Sequence, residues 1–474
     1  MKIKAYKYHK SLTAIVFFTL LIFTYSCSSD DVVQPVVEQE EEKEPEPEPE
    51  VIAPEDKLPL VQINTNGVDI VDEPKIAADI KVTEAENVTY EGFIGVEFRG
   101  SSSQMFPKKS LGFETWDENG EDLDTELLGF PEEEDWILYG PYSDKSLMRN
   151  MLIMDLAREF GQYASRTKFV ELEINESFRG VYVFMEKLKR DGDRIDISKL
   201  NDDENSGEDL TGGYILKIDK TTGNNLGEGY NELNSFTSAY APPAASGGQE
   251  IHFLYEYPDA EDITPEQKNY ISNYVAQFED ALSSDEFADP EMGYAALIDV
   301  PSFIDFFILN EISNNVDGFR LSTFMHKDKN EKLKMGPIWD FNLAFGNANY
   351  CSGDQTDVWA YKFNERCSQD NLLIPFWWNR LLEDPTFVSQ LKERWSTLRG
   401  GVLANASVQA RIEGYETTLT KAGAIETNFN AWPIFDEYIW PNSFVGKNYD
   451  EEVGFMSGWL DDRLNWLDGA IDGL

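Results

Sequence analysis

The chain is organised around the stretch Val316-Asp317-Gly318-Phe319-Arg320 through Trp339-Asp340-Phe341-Asn342. Between its two aspartates, apolar and β-branched segments flank polar, turn-like residues at 328–331, a pattern that predicts a β-hairpin. Antiparallel pairing about that turn gives partner numbers that sum to about 659, so Asp317 should lie near Asn342, and Asp340 near Phe319. The hairpin would therefore bring two carboxylates and one amide to its open end.

Two carboxylates held close together are unfavourable unless a cation lies between them or one of them is protonated. A purely structural interpretation is available, in which Asp317 precedes Gly318 in an ordinary turn and Asp340 caps the segment that follows. A functional interpretation rests on residue order. Asp-Phe-Asn after a strand resembles the Asp-Phe-Gly metal site of protein kinases, and an Asp upstream of the same hairpin resembles their catalytic-loop base.

The N-terminus has the features of an export signal. Four lysines precede an apolar run at residues 12–23, so residues 1–26 are predicted to be a signal peptide, the run being short for a membrane span. Cys27 follows a small residue, which predicts a lipoprotein anchored to the membrane through a lipidated Cys27; a plain signal peptide is the alternative. Ser28-Ser-Asp-Asp31 resembles the export tags of some Gram-negative surface lipoproteins, so the predicted location is the outer membrane or cell surface.

Composition restricts the partners. Residues 27–57 carry repeated Glu and Glu-Pro and are predicted to form an extended acidic tether. The formal net charge of −47 repels nucleic acid and anionic lipid headgroups, so no nucleic-acid partner is expected. Any phosphate site would need local Lys or Arg and divalent cations. The histidines, His9, His252 and His326, form no Cys/His metal pattern and argue against His-based catalysis.

Two cysteines, Cys351 and Cys367, remain as a pair in a protein predicted to be exported. A disulfide between them would close a loop just after the Asp-Phe-Asn segment and would stabilise the fold by roughly 3 kcal/mol in the chain-entropy model. Two buried free thiols are the alternative, because spacing alone does not establish disulfide geometry.

The remaining pattern predicts an α+β fold. A hydrophobic content of 41% and an aromatic content of 13% indicate a globular protein, and about 415 residues is large for one core, which predicts two lobes. Residues 58–199 should form a β-rich N-terminal lobe, and residues 264–474 a mainly helical C-terminal lobe that holds the hairpin. Residues 200–263 are predicted to be an insertion with one strand and long loops.

Several residues in the N-terminal part are candidates for contact with a phosphate group. The small-residue turn at 100–103 could offer backbone N–H groups, and Lys108 or Lys109 could supply the cation, as the strand lysine does in kinases. Arg149 lies early in a predicted helix, where it could reach the phosphate side. Glu186 ends a predicted strand, near the interlobe connection that a kinase-like order would require.

Five motifs in order carry a resemblance to a known family. They are Arg99-Gly-Ser-Ser-Ser103 with Pro107-Lys-Lys109, Asp144-Lys-Ser-Leu-Met-Arg-Asn150, Arg179-Gly-Val-Tyr182 followed by Glu186, Asn315-Val-Asp-Gly318, and Trp339-Asp-Phe-Asn342. Together they resemble the CotH family, which is named for a spore-coat protein and is an atypical, secretory-type protein kinase family. The resemblance covers roughly residues 60–470.

The resemblance implies a two-lobed, kinase-like fold that binds ATP with Mg²⁺ or Mn²⁺, with Ca²⁺ as an alternative, and phosphorylates hydroxyl groups of a protein substrate. Asp317 matches the catalytic-loop Asp and Asp340 the metal-binding Asp, with Asn342 assigned to a second metal ion. The nucleotide would be held by Arg99, Lys108 or Lys109, Arg149 and Glu186. The chain departs from the standard kinase pattern at Ser322, where an Asn is expected five residues after the base.

Two other functional classes stay open at this point. A lipoprotein outside the inner membrane has little ATP available, so the fold could serve as a scaffold for a surface binding or adhesion protein without turnover. A glycosidase that uses Asp317 and Asp340 as its acid pair is a further alternative, and it would need a sugar cleft and one carboxyl with a raised pKa.

Overall fold

A computed structural model describes residues 52–221 and 229–474. The predicted signal peptide, Cys27 and most of the predicted acidic tether lie outside these residues. Residues Ile52–Leu474 form one compact unit. Its N-terminal region is rich in strands and helices follow in its C-terminal part, as the sequence predicts. The division into two kinase-like lobes stays a prediction.

A closed β-barrel is built from the strands of the N-terminal region. In chain order the strands are β1 (Leu60–Asn64), β2 (Ile76–Glu84), β3 (Asn87–Arg99), β4 (Ser110–Trp116), β5 (Thr125–Leu127), β6 (Phe130–Glu133), β7 (Asp135–Tyr139), β8 (Thr167–Ile174) and β9 (Ser177–Glu186). The barrel order is β1-β2-β3-β4-β7-β9-β8, with β8 closing in parallel onto β1, while β5 and β6 pair separately. Successive strand residues point to opposite faces, so Tyr182 and Phe184 fill the barrel while Val181 and Val183 pack against the helices.

A second sheet carries the hairpin. Its strands are β10 (Tyr214–Ile218), β11 (Ser235–Thr237), β12 (His252–Tyr257), β13 (Thr323–Lys327) and β14 (Lys334–Met335), in the order β11-β12-β10-β13-β14. The hairpin is therefore confirmed, and its pairs Met325–Met335 and His326–Lys334 differ by one residue from the predicted register. It is shorter than predicted because Pro337, which has no N–H group, cannot continue the ladder.

The segment from 200 to 263 contributes more to this sheet than the single strand predicted for it. The strand β10 pairs with β13 of the hairpin on one side and with β12 on the other. Two of its three strands, β11 and β12, were missed because β11 has only three residues and polar residues interrupt the apolar pattern of β12. The segment is thus continuous with the sheet that holds the hairpin.

Helices cover one face of the second sheet, where Leu216 and Met325 share a core with them, and pack on one side of the barrel. They are α1 (Arg149–Glu159), α2 (Pro265–Ser283), α3 (Val300–Ser313), α4 (Phe363–Arg366), α5 (Trp377–Leu381), α6 (Pro385–Arg399), α7 (Asn405–Lys421), α8 (Ala424–Ala431) and α9 (Tyr449–Asp472). The helix α3 is apolar and almost wholly buried, and it delivers the chain to Asn314, whose left-handed conformation ends the helix. No helix within 52–221 or 229–474 has the length and apolar character needed to cross a membrane.

A buried carboxyl on α2 makes the stability of this fold pH-dependent. The Ser238 hydroxyl lies 2.8 Å from both oxygens of Glu279, and one of these oxygens also accepts a hydrogen bond from Trp377 Nε1 at 2.9 Å. Burial raises the pKa of Glu279 to about 7, although these two donors oppose the shift. Because the folded-state pKa lies above the unfolded value of 4.5, the native state binds the proton more tightly, and stability falls as pH rises through this window.

We expect Glu279→Gln to remove that loss, since glutamine keeps the shape and carries no charge. Relative to the parent protein, the variant should gain up to about 3 kcal/mol of stability at about pH 8 and little at about pH 5. Denaturant unfolding at both pH values measures this difference. Equal effects of the substitution at the two pH values would contradict it.

Candidate active site

A cavity of about 530 Å³ lies where the end of β3 meets the end of β10 and the loops that flank the hairpin. Asp317, Asp340 and Asn342 line it, together with Arg99 and the small-residue turn at 100–103. The hairpin geometry thus brings together the two aspartates and the amide, and the end of β3 adds a guanidinium. A cavity of this size is within the range of small-molecule sites.

Asp317 is oriented by its own turn and by a buried arginine. Its N–H donates to Asn315 Oδ1 at 3.2 Å, and its Oδ1 accepts from Arg320 at 3.0 Å. Arg320 is 3% exposed and also donates to Asp370 at 3.2 Å. Burial raises the pKa of Asp317, while Arg320 and then Lys220 oppose the shift. The carboxylate is therefore held in one orientation at the cavity wall.

Asp340 has a strained backbone that the first turn of α1 helps to hold. Its φ of 60° is in the left-handed region, which is unfavourable for residues other than Gly, although Asp tolerates it better than most. Asn150 Oδ1 accepts from Phe341 N–H at 2.7 Å, and Asn315 Nδ2 donates to the Asp340 carbonyl at 3.4 Å. Strain of this kind persists where surrounding contacts fix it, and it concentrates at functional sites.

The charges around Asp340 favour a cation at this position. Burial, and then the neighbouring Asp317 and Asp219, raise the pKa of Asp340 to about 7, while Lys220 and Arg99 oppose the shift. A divalent cation would offset this repulsion. The carboxylate and carboxamide oxygens of the cavity are the donors that Mg²⁺ and Mn²⁺ prefer. The residues present therefore fit a metal ion.

A second cluster of acidic residues does not have the features of a metal site. The oxygens of Glu133, Glu134 and Asp135 lie within 4.8 Å of one another at the start of β7. Lys189 contacts all three of these carboxylates, and Arg194 pairs with Glu133 at 3.2 Å. Since protein cations already neutralise this group, it is an ion-pair network that stabilises the barrel edge.

Three cavity residues on the second sheet were not predicted from the sequence. Asp219 directly follows β10, and Lys217 of β10 pairs with Glu256 of β12 at 2.7 Å. A signal for two of them was available in the sequence. Lys217 and Asp219 are polar residues at i and i+2 in or beside an otherwise apolar strand, and such residues share one face.

The two lysines predicted from the sequence to contact the nucleotide do not line this cavity. Lys108 is 2% exposed, its Nζ donates to Asn428 at 2.8 Å, and it lies over the ring of Tyr182. Lys109 Nζ donates to the carbonyl of Gln104. Both ammonium groups are therefore bonded to other protein groups, and neither lysine lines the cavity that holds Asp317 and Asp340.

Arg149 and Glu186 also lie outside the cavity. Arg149 pairs with buried Asp144 at 2.5 Å and donates to the carbonyl of Ala344 at 3.2 Å. It therefore supports the loop that follows Asp340 from outside the cavity. Glu186 pairs with Arg166 at 2.6 Å. The next residue, Lys187, lines the cavity instead, because successive residues at a strand end point to opposite sides.

The loop that follows Asn342 is closed by a disulfide. Cys351 and Cys367 are bonded with a Cα–Cα distance of 5.8 Å, within the usual range for disulfides. Arg366 donates to the carbonyl of Cys351 at 3.1 Å and ties the two ends together a second time. The bond limits the freedom of the chain that runs on from the Asp-Phe-Asn segment.

The barrel, the second sheet and the cavity with its paired aspartates define a mixed helix and strand protein with a candidate metal and phosphate site. The chain belongs to the CotH kinase family, since the family model described as CotH kinase protein matches residues 96–467. The match begins within β3 and ends within α9, so it includes every cavity residue discussed above. No curated protein matches the chain.

Proposed function

We propose that this protein is a protein kinase that transfers the γ-phosphoryl group of ATP to a protein hydroxyl with the help of a divalent metal ion. The observation that carries the proposal is the position of Asp317 and Asp340 in one cavity, on the two loops that flank the hairpin. Membership of the CotH kinase family supports it.

In this proposal the cavity residues divide into two groups. Asp340 and Asn342 would hold the metal ion, which would supply positive charge against the phosphates. Arg99 lies over the ring of Trp339 at 5.7 Å and faces the same cavity, where it offers a further positive charge. Positioning and charge neutralisation supply most of the catalysis in phosphoryl transfer.

Asp317 acts on the acceptor. It orients the incoming hydroxyl and takes its proton as the hydroxyl oxygen forms a bond to the γ-phosphorus and the bond to the ADP oxygen breaks. The contact with Arg320 keeps the carboxylate directed into the cavity throughout. The products are a phosphorylated protein and ADP.

We also infer that the protein works outside the cytoplasm, anchored by a lipid on Cys27. The Cys351–Cys367 bond supports this location, because disulfides persist in oxidising compartments and are rare in the cytosol. The net charge of −47 would keep such a surface protein soluble and free of nucleic acid.

The proposal is tested by nucleotide binding and transfer with the purified protein. Thermal unfolding is measured with ATP and Mg²⁺ or Mn²⁺, with metal alone, and with ATP in EDTA; a saturating complex at about 100 times its Kd should stabilise by about 2.7 kcal/mol. Mass spectrometry then detects phosphate on the protein or on an added protein acceptor. No stabilisation by ATP with any divalent metal would reject the proposal.

A further inference from the structure

An open groove with a volume of about 830 Å³ crosses the outer face of the barrel. This outer groove is formed by four neighbouring strands, β8, β1, β2 and β3. Strand pairing sets its side chains in two rows. The first row is Glu173, Gln62, Lys81 and Glu91, and the second is Asn64, Asp79 and Phe93. Neighbouring strands are about 4.8 Å apart, so the groove extends about 14 Å across the sheet.

Aromatic rings stand at one side of the outer groove. Phe93 is 50% exposed, although large aromatic side chains are more often buried in a core or an interface. Its cross-strand partner on β4 is Trp116, which is half-buried. The indole ring lies over the backbone of Gly95, where a Cβ would come within 2.0 Å of Trp116 Cζ2. The second row of the groove therefore ends at two neighbouring aromatic residues.

Oriented carboxylates and amides form much of the remaining lining. Gln62 Nε2 donates to Glu173 Oε2 at 2.6 Å, and Asn66 Nδ2 donates to Asp79 Oδ2 at 3.1 Å. These contacts fix the direction of the two carboxylates. Each carboxylate retains a second oxygen that can accept hydrogen bonds from a ligand.

Charge and polarity limit what the outer groove can bind. Its charged side chains are four carboxylates and one ammonium group: Asp79, Glu91, Glu173, Glu176 and Lys81. This excess of negative charge, together with the net charge of −47, repels anionic ligands such as nucleic acid and acidic glycans. The lining residues Ile63 and Ile80 belong to the barrel core and are 2% and 1% exposed. Phe93 is thus the main apolar surface that the described lining exposes, which is unlike the apolar centre of a protein–protein interface.

These features match the chemistry of a neutral sugar chain. A pyranose ring has faces of C–H groups, which pack on aromatic rings, and hydroxyls at its edge, which donate to carboxylates and exchange hydrogen bonds with amides. Asp79 lies directly opposite Phe93 on the neighbouring strand. One sugar ring can therefore stack on Phe93 while its hydroxyls reach Asp79, and a chain that continues across the strands reaches Glu173.

The outer groove is distinct from the candidate active site. Most of it precedes the part of the chain that matches the family, since the match begins at residue 96, after β1, β2 and Phe93. Phe93 lies six residues before Arg99, which lines the active-site cavity, so the two sites are about 20 Å apart along β3. A ligand can occupy the groove while the cavity stays free.

We propose that the outer groove binds a neutral polysaccharide chain, with Phe93 as the stacking surface and Asp79 and Glu173 as acceptors for its hydroxyl groups. This site adds a second binding function to the protein and does not depend on phosphoryl transfer. It would hold the protein against a polysaccharide while the cavity acts on its own substrate.

The first test is native electrophoresis of the full chain in gels that contain a soluble polysaccharide. The neutral panel is hydroxyethyl cellulose, arabinoxylan, galactomannan and dextran; alginate is the anionic comparison, and a gel without polysaccharide is the reference. At least one neutral polysaccharide should slow the parent protein, and alginate should not. Phe93→Ala should raise the Kd for that polysaccharide by about tenfold or more, because the stacking surface is lost.

Val88→Ala is the matched control. Val88 lies on the same strand and is 51% exposed, but it does not line the outer groove. This variant should bind the polysaccharide as the parent protein does. Asp79→Asn is a second test that keeps the size of the side chain and removes one anionic acceptor, and it should raise the Kd about 3- to 10-fold.

Retardation that Phe93→Ala loses and Val88→Ala keeps would support the site. The inference is overturned if no neutral polysaccharide slows the parent protein, if alginate slows it as much, or if Phe93→Ala binds as tightly as Val88→Ala. Should Phe93→Ala fail to fold, parent-like affinity in Asp79→Asn overturns the inference instead. Stabilisation by Mn²⁺–ATP should be equal in the parent protein and Val88→Ala; because it tests the kinase function alone, its absence leaves the polysaccharide site standing.

Discussion

Asp340→Asn should abolish the stabilisation of this protein by ATP with Mg²⁺ or Mn²⁺. The carboxylate of Asp340 lies in the cavity with Asp317 and Asn342, and its side chain is the main anionic donor assigned to the metal. Without that charge the metal is not held against the phosphates. The gain of about 2.7 kcal/mol expected for the parent protein at 100 times its Kd should fall to near zero in thermal or denaturant unfolding.

The same substitution should stabilise the ligand-free protein. Burial and the nearby Asp317 and Asp219 raise the pKa of Asp340 from 3.8 to about 7, so its charge at higher pH is a cost to the fold. The full shift corresponds to about 4 kcal/mol, and we expect about 1–3 kcal/mol because Asp340 is only partly shielded from water. Higher stability of the ligand-free variant, together with loss of the response to ligand, would show that this site binds its ligand at the expense of stability.

The sign of the pH dependence follows from that raised pKa. The native protein binds the proton of Asp340 more tightly than the unfolded chain does, so ligand-free stability falls as pH rises from about 4 through 7. Metal needs the deprotonated carboxylate, so stabilisation by Mn²⁺–ATP should be larger at about pH 8 than at about pH 6. Asp354→Asn, on the loop outside the cavity, is the control and should respond as the parent protein does. A full response to Mn²⁺–ATP in Asp340→Asn would exclude Asp340 as a metal ligand.

The sequence could predict the parts of the site that depend only on residues close together in the chain. Asp317 and Asp340 flank a hairpin whose apolar segments and polar turn are contiguous in the chain, so pairing geometry alone placed them together. The register was one residue away from the prediction, and the ladder is shorter because Pro337 has no N–H group to continue it. The strained conformation of Asp340 was not predictable from its identity, since it depends on Asn150, which is distant in the chain.

The parts that could not be predicted depend on contacts between distant segments. Lys217 and Glu256 are 39 positions apart in the numbering, and only the pairing of β10 with β12 brings them together. Lys108 stands beside a small-residue turn and has the local features of a phosphate lysine, yet α8 supplies Asn428 and buries it. Whether a lysine faces a cleft or a core depends on which distant segments pack against it, and the local sequence does not contain that information.

Asp317→Asn should lower the rate of phosphoryl transfer by about 10²–10⁴-fold while leaving nucleotide affinity nearly unchanged. Asparagine can still accept a hydrogen bond from Arg320, so the loop keeps its shape, but it cannot take the proton of the acceptor hydroxyl. Single-turnover transfer to a protein acceptor measures the chemical step, and titration with Mn²⁺–ATP measures binding. Together the two measurements distinguish the role of Asp317 from that of Asp340, because substitution of Asp340 should abolish nucleotide binding.

Asp370→Asn is the matched control for this prediction, because Asp370 is the other carboxylate that pairs with Arg320, at 3.2 Å, and it does not line the cavity. If Asp317 serves only to neutralise the buried guanidinium, both variants should lose stability alike and both should retain transfer. If Asp317 acts on the acceptor, only Asp317→Asn should lose transfer, whatever the two variants do to stability. If Asp317→Asn transfers phosphate at the same rate as Asp370→Asn, Asp317 has no part in the chemical step. The aspartate pair would then have a structural or binding role.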